Sequence, residues 1–187
     1  DLHKAIRRQR QMCIRDSYLR VRMGINGREG KDAAGIAYGS DMIFDHMSVT
    51  WGRDECFSIN GDPKKPADQP RNITIQNSFI GQGLQPHSCG GLIQTTINDG
   101  ITLYRNLYID NKTRNPKVKG LNQFVNNVVY NWGSGAAYNM GGDSSGPSQT
   151  TIEDNYFIVG PVDNWQNVRQ EDNSINCLLY TSPSPRD

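Results

Sequence analysis

Three groups of side chains carry the chemistry this sequence can offer. The first is acidic: Asp32, then Asp41 and Asp45, then Asp54 and Glu55 in the run WGRDE. Carboxylate oxygens from separate segments are the hard ligands that Ca²⁺ takes. By spacing alone, the same acids also fit a solvated surface. The second group is basic: Arg114, Lys117 and Lys119 flank Pro116. Such a cluster fits an anionic ligand, for instance a carboxylated sugar polymer, because a guanidinium grips a carboxylate through two parallel hydrogen bonds. An exposed basic loop would read the same way locally. The third group is Gln85, His87 and Cys89 in GLQPHSCGG. A nucleophilic thiol at Cys89 needs a base and an electropositive niche. No second motif supports a pairing with His87, and a lone histidine is more often structural.

The elements that must position these groups repeat along the chain. Five segments are related: MIFDHMSV from Met42, ITIQNSFI from Ile73, ITLYRNLY from Ile101, QFVNNVV from Gln123 and TTIEDNYF from Thr150. Aligned on Phe44, Ile75, Leu103, Phe124 and Ile152, each has an apolar residue at that position. Three positions later stand Met47, Ser78, Asn106, Asn127 and Asn155, so the last three repeats share an asparagine. Repeat lengths of twenty residues or more with variable insertions suit the coils of a solenoid. Asparagine suits its turns, since it tolerates the left-handed conformation and bonds backbone with its amide. Stacked coils would let neighbouring asparagines bond each other. The expectation is an all-β parallel β-helix, and ordinary antiparallel strands in a sandwich are the alternative. Upstream, YLRVRM alternates apolar and basic residues as a half-buried strand does. The run GGDSSGPS reads as a surface insertion, because it lacks the Lys-Ser/Thr ending of a phosphate loop.

The two ends read as foreign. Met12 to Ser17 back-translates as ATG TGT ATA AGA GAC AG, and its reverse complement, read one base in, encodes Cys177 to Thr181 and the start of Ser182. This reciprocity resembles translated transposase adapters from sequencing-library preparation. Residues 1–17 and 177–187 are therefore set aside before fold reasoning. Residues 18–176 form the partial β-helix domain, expected to be truncated at both ends. Setting the ends aside removes six Lys/Arg and three Asp and turns a formal charge of +1 into −2. The basic amino-terminal arm is thus no argument for nucleic acid. Two cysteines, Cys56 and Cys89, remain, and they decide no redox compartment. No apolar run is long enough to span a bilayer.

Together these stretches resemble the pectate lyase family, the first polysaccharide lyase family. The matching segments are YLRVRMG, DMIFDHMSVTWGRDE, ITIQNSFIGQGL, HSCGGLI, ITLYRNLYIDNKTRNP and QFVNNVVYNWG, from about Tyr18 to Pro161. The resemblance implies a right-handed parallel β-helix that binds pectate with Ca²⁺ and cleaves α-1,4-galacturonan by β-elimination. It places the catalytic arginine of an Arg-x-Pro motif on Arg114. A substrate-binding basic residue five positions on falls on Lys119, with Lys117 and His87 as further substrate contacts. The calcium carboxylates map to Asp32 and Asp54, with Glu55 adjacent. Two further acidic ligands of the family align with Gly30 and Ser58, which predicts weaker calcium binding or metal held through substrate. A substrate-binding lysine of some members aligns with Cys89. The resemblance further implies a secreted, monomeric enzyme acting on acidic polysaccharide, with no nucleic acid or membrane partner.

As a base, Arg114 would need its charged form disfavoured, and neighbouring cations are expected to depress its pKa. Two rival readings stand beside this one. A β-helix hydrolase would use paired carboxylates flanking the bond. A non-catalytic carbohydrate-binding β-helix would keep the apolar and asparagine columns without needing Arg114.

Overall fold

A computed structural model describes residues 14–62, 64–134, 136–141, 146–161, 166–170 and 175–179. The remainder of the two end segments, and 142–145 of the GGDSSGPS run, lie outside the described residues. The chain winds in successive coils of three short strands. The first coil holds β1 (Ile14–Ser17), β2 (Arg20–Arg22) and β3 (Ala34–Ile36). The second holds β4 (Ser40–Asp45), β5 (Ser48–Thr50) and β6 (Phe57–Asn60), and the third β7 (Arg71–Gln76), β8 (Phe79–Gly81) and β9 (Leu92–Gln94). The fourth runs through β10 (Ile101–Tyr104) and β11 (Leu107–Ile109) into the start of β12 (Lys117–Val125). The end of β12 opens the fifth, continued by β13 (Val128–Tyr130) and β14 (Ala136–Met140). The sixth holds β15 (Ser148–Glu153), β16 (Tyr156–Ile158) and β17 (Gln166–Gln170), and β18 (Ile175–Leu179) pairs onto β15.

Each strand pairs in parallel with its counterpart one coil away, so the architecture is a parallel β-helix. Three pairing faces result. One runs β1-β4-β7-β10-β12-β15-β18, a second β2-β5-β8-β11-β13-β16, and a third β3-β6-β9-β12-β14-β17. β1 and β18 reach into the two end segments set aside above.

The aligned repeats become columns. Phe44, Ile75, Leu103, Phe124 and Ile152 are register partners in adjacent strands, and all are buried. Val49, Ile80, Tyr108, Val129 and Phe157 form the facing column on the second sheet. A strand alternates its side chains between faces, so one inward residue in two suffices to fill the interior of the coil. Each such burial stabilises by about 1.5–3 kcal/mol.

The corner between the first and second sheets is held by the polar column. Ser78 N donates to Asn106 Oδ1 (3.0 Å), Asn106 N to Asn127 Oδ1 (2.8 Å) and Asn127 N to Asn155 Oδ1 (2.7 Å). Their amides donate back to the carbonyls of Ile75, Leu103 and Phe124. Ser78 extends the ladder by accepting from Met47 N through its hydroxyl (3.0 Å). The left-handed residue is the one before this column: His46, Asn77, Arg105, Asn126 and Asp154 all have φ between 49° and 56°. The column asparagines therefore serve as backbone partners, and the tight bend falls on their predecessors. No helix of the described residues is long and apolar enough to cross a membrane.

Candidate active site

The connectors between the second and third sheets converge just before the third sheet begins. Ala33 N donates to Glu55 O (3.0 Å), Cys56 N to Cys89 O (2.9 Å) and Gly90 N to Thr113 O (3.1 Å). Glu55, Cys89 and Thr113 are bridge partners in turn. Segments far apart in sequence thus stack one coil spacing apart, about 4.8 Å. Asp32, Asp54 with Glu55, His87 with Cys89, and Arg114 come from four successive coils. The approach is close enough to demand glycine. A Cβ at Gly52 would stand 2.2 Å from Glu55 O, and one at Gly91 would stand 2.3 Å from Phe57 O.

Asp32, Asp54 and Glu55 each offer an oxygen within 4.8 Å of the others. Asp32 Oδ1 also accepts from Glu55 N (3.3 Å). Asp54 Oδ1 is buried and makes no hydrogen bond, although His87 Nδ1 lies 3.1 Å away. An unsatisfied buried carboxylate oxygen among two other carboxylates is a donor set that a hard divalent cation would complete. These residues fit calcium.

Glu55 is the innermost acid, with a side chain 4% exposed, and Arg114 Nη1 donates to its Oε1. Burial pushes the Glu55 carboxyl well up, and Asp32 and Asp54 add to the shift. The Arg114 contact opposes it only in part. Arg114 itself has φ +54°, so the strand pleat breaks there and β12 starts afresh three residues on. The guanidinium belongs to the fourth coil and reaches Glu55 in the second, past the third.

No family model matches the chain. It is 65% identical over 144 residues to a protein of Neosartorya fischeri named "Probable pectate lyase C", a match covering 77% of this chain and 32% of the relative. Proteins of the same name from Aspergillus fumigatus and Aspergillus flavus are 64% and 62% identical over the same length and shares. Over this stretch the chain is similar to proteins that carry the pectate lyase name. It spans about a third of the length of the curated relatives it matches.

Within this segment, Asp32, Asp54, Glu55, His87 and Arg114 come together. Lys117 and Lys119 stand on alternate positions of β12 with Val118 buried between them, so they share the outward face of the third sheet. Asp41 and Asp45 do not join the acidic cluster. They accept from Asn72 and Asn77 along the first sheet and its corner. Gly30 has φ +67° with open space at its Cβ position. Ser58 is buried in β6, where its hydroxyl accepts from Leu92 N (3.2 Å), leaving it inside the wall of the helix.

One expectation for this site is overturned. The Arg114 pKa is raised, not depressed. Burial opposes its charge, but Cys89, Glu55 and Asp54 outweigh burial. The nearest charged neighbours are acids, because coil stacking sets WGRDE beneath the Arg-x-Pro segment. The Glu55–Arg114 pair was not foreseen, since no sequence period links positions 59 residues apart. Arg53 was missed as well. Its guanidinium donates to Gly27 O (2.8 Å) and Ile25 O (3.3 Å), pinning the loop that leads to Asp32. The three consecutive charges Arg53, Asp54 and Glu55 in WGRDE, on the connector between β5 and β6, were the signal available.

Proposed function

We propose that the protein carrying this chain is a secreted pectate lyase that cleaves α-1,4-galacturonan by calcium-assisted β-elimination. The observation that carries this reading is the convergence of a three-carboxylate cluster and the single Arg-x-Pro guanidinium on one patch of the coil stack. The relatives' name points the same way. Residues 18–176 are read as the functional part.

Asp32 and Asp54 would hold the cation, with Glu55 shared between it and Arg114. When bound, calcium supplies positive charge to the uronate carboxylate and so acidifies the adjacent C5–H. Lys117 and Lys119 face outward on the third sheet and would receive further carboxylates of the polymer, together with His87. Arg114 would take the C5 proton as the C4–oxygen bond breaks. The electron pair left at C5 forms the C4–C5 double bond, and the departing oxygen is protonated from solvent. In the resting site Arg114 is charged, so it must first release a proton. That proton leaves to solvent hydroxide, and the contact with Glu55 works against its release. A rate that climbs toward alkaline pH follows from this requirement.

A hydrolase would need carboxyls on opposite sides of the scissile bond, at least about 5 Å apart. The three acids instead converge within 4.8 Å, which favours the cation-binding reading. Incubation with polygalacturonate tests it. An unsaturated product absorbing in the near ultraviolet, abolished by chelation, is expected. Saturated reducing ends, or binding without turnover, would overturn the lyase reading.

A further inference from the structure

A second donor set lies against the first and uses chemistry that calcium does not. Asp54, His87 and Cys89 each offer a ligand atom within 4.8 Å of the others. They supply an oxygen, an imidazole nitrogen and a sulfur. Ligand atoms of a tetrahedral zinc site stand roughly 3.3–3.6 Å apart, as bond lengths of about 2.0–2.3 Å require. The His87 Nδ1 to Asp54 Oδ1 distance of 3.1 Å is close to that edge, and the two atoms make no hydrogen bond that a metal would have to break. Cys89 bridges Glu55 on one side and Thr113 on the other, which fixes its backbone in the stack, and His87 stands two residues before it. Cys89 is fully buried, while the His87 side chain is 51% exposed and leaves a way in from solvent.

We propose that Asp54, His87 and Cys89 form a site for a thiophilic divalent cation of the zinc type, which excludes a hard cation from the neighbouring acidic cluster because Asp54 is common to both. Thiolate and imidazole select zinc over calcium, and carboxylates alone do the reverse. One carboxylate and one thiolate balance the charge of a divalent ion, and the thiol proton leaves to solvent as the metal–sulfur bond forms. Three protein ligands leave a fourth position for water. The exclusion rests on the calcium reading given above, whereas the zinc-type site does not.

Cobalt(II) is the probe. Titrated into the reduced chain with Cys13 and Cys177 replaced by serine, it should give a sulfur-to-cobalt charge-transfer band in the near ultraviolet that saturates at one ion per chain. Zinc should erase the band, and magnesium should leave it intact. Cys89→Ser should abolish it. Cys56→Ser should keep it, because Cys56 Sγ instead faces Gly81 O (3.4 Å) and Asn111 Oδ1 (3.7 Å). His87→Ala removes a half-exposed side chain and should weaken cobalt binding tenfold or more with circular dichroism unchanged, which keeps the test decisive even where Cys89→Ser fails to fold. Absence of the band, or its survival in Cys89→Ser, overturns the site. Calcium binding is measured separately. A chain that binds calcium but shows no cobalt–sulfur band keeps the lyase reading and loses this one. Simultaneous saturation by cobalt and calcium would overturn the exclusion.

Discussion

Arg114 and Glu55 are joined across the coil that lies between them, the guanidinium of the fourth coil donating to a carboxylate of the second. The pair fastens three coils together at the point where the acids collect. It also favours the charged guanidinium, which in turn holds the buried Glu55 carboxyl lower than burial alone would. Removing one partner strands the other. Arg114→Met should destabilise the fold by about 2–3 kcal/mol, discounted from a fully buried pair because Arg114 is 23% exposed. Adding Glu55→Gln should restore most of that loss. Denaturant unfolding of the two single variants and the double variant measures the coupling, and strictly additive losses would contradict it.

Arg114→Lys separates binding from chemistry. A lysine keeps the charge but not the geometry of the fork. Polymer binding should persist while turnover falls by about 10²–10⁴-fold, the range of a lost proton-transfer group. Initial rates of near-ultraviolet absorbance, set against a polygalacturonate binding isotherm, give both quantities. Undiminished turnover would remove Arg114 from the base role.

Each acid of the cluster should count separately toward the metal. Asp32→Asn and Asp54→Asn each remove one charged oxygen donor and should weaken calcium binding by about tenfold or more. Asp41→Asn lies on the first sheet and should leave calcium affinity unchanged. Isothermal titration with calcium distinguishes the three.

Stability of the metal-free protein should fall as pH rises. Glu55 is raised in the fold from an ordinary 4.5 to about 8. The folded state therefore holds a proton that the unfolded chain has already released. Its stabilising contribution is fully present below about pH 4.5 and is lost as pH climbs through about 8. Saturating calcium should flatten this slope, since a bound cation offsets the buried negative charge. Melting temperature against pH, with and without calcium, is the measurement.

The asparagine ladder should be costly to interrupt. Asn127 accepts from Asn106 N and donates to Leu103 O, both buried. Asn127→Ala would leave a buried donor and a buried acceptor unpaired and should cost about 3 kcal/mol, read from the unfolding midpoint.

By itself the sequence determined the coil. Apolar residues at Phe44, Ile75, Leu103, Phe124 and Ile152 mark the inward face because strand alternation and burial are local properties, legible one segment at a time. The column from Ser78 to Asn155 was legible for the same reason. It also exposed Asp32, Asp54 and Arg114 as residues of interest through short motifs. Tertiary structure alone decided what those residues face. Successive coils differ in length, 31, 28 and 21 residues between equivalent positions, so the partner one coil away cannot be counted off along the chain. Only the closed register of the stack set Glu55 under Arg114 and His87 beside Asp54. That same register raised the Arg114 pKa, where sequence reasoning had expected it depressed, because electrostatic neighbours are fixed by distance through space and not by position along the backbone.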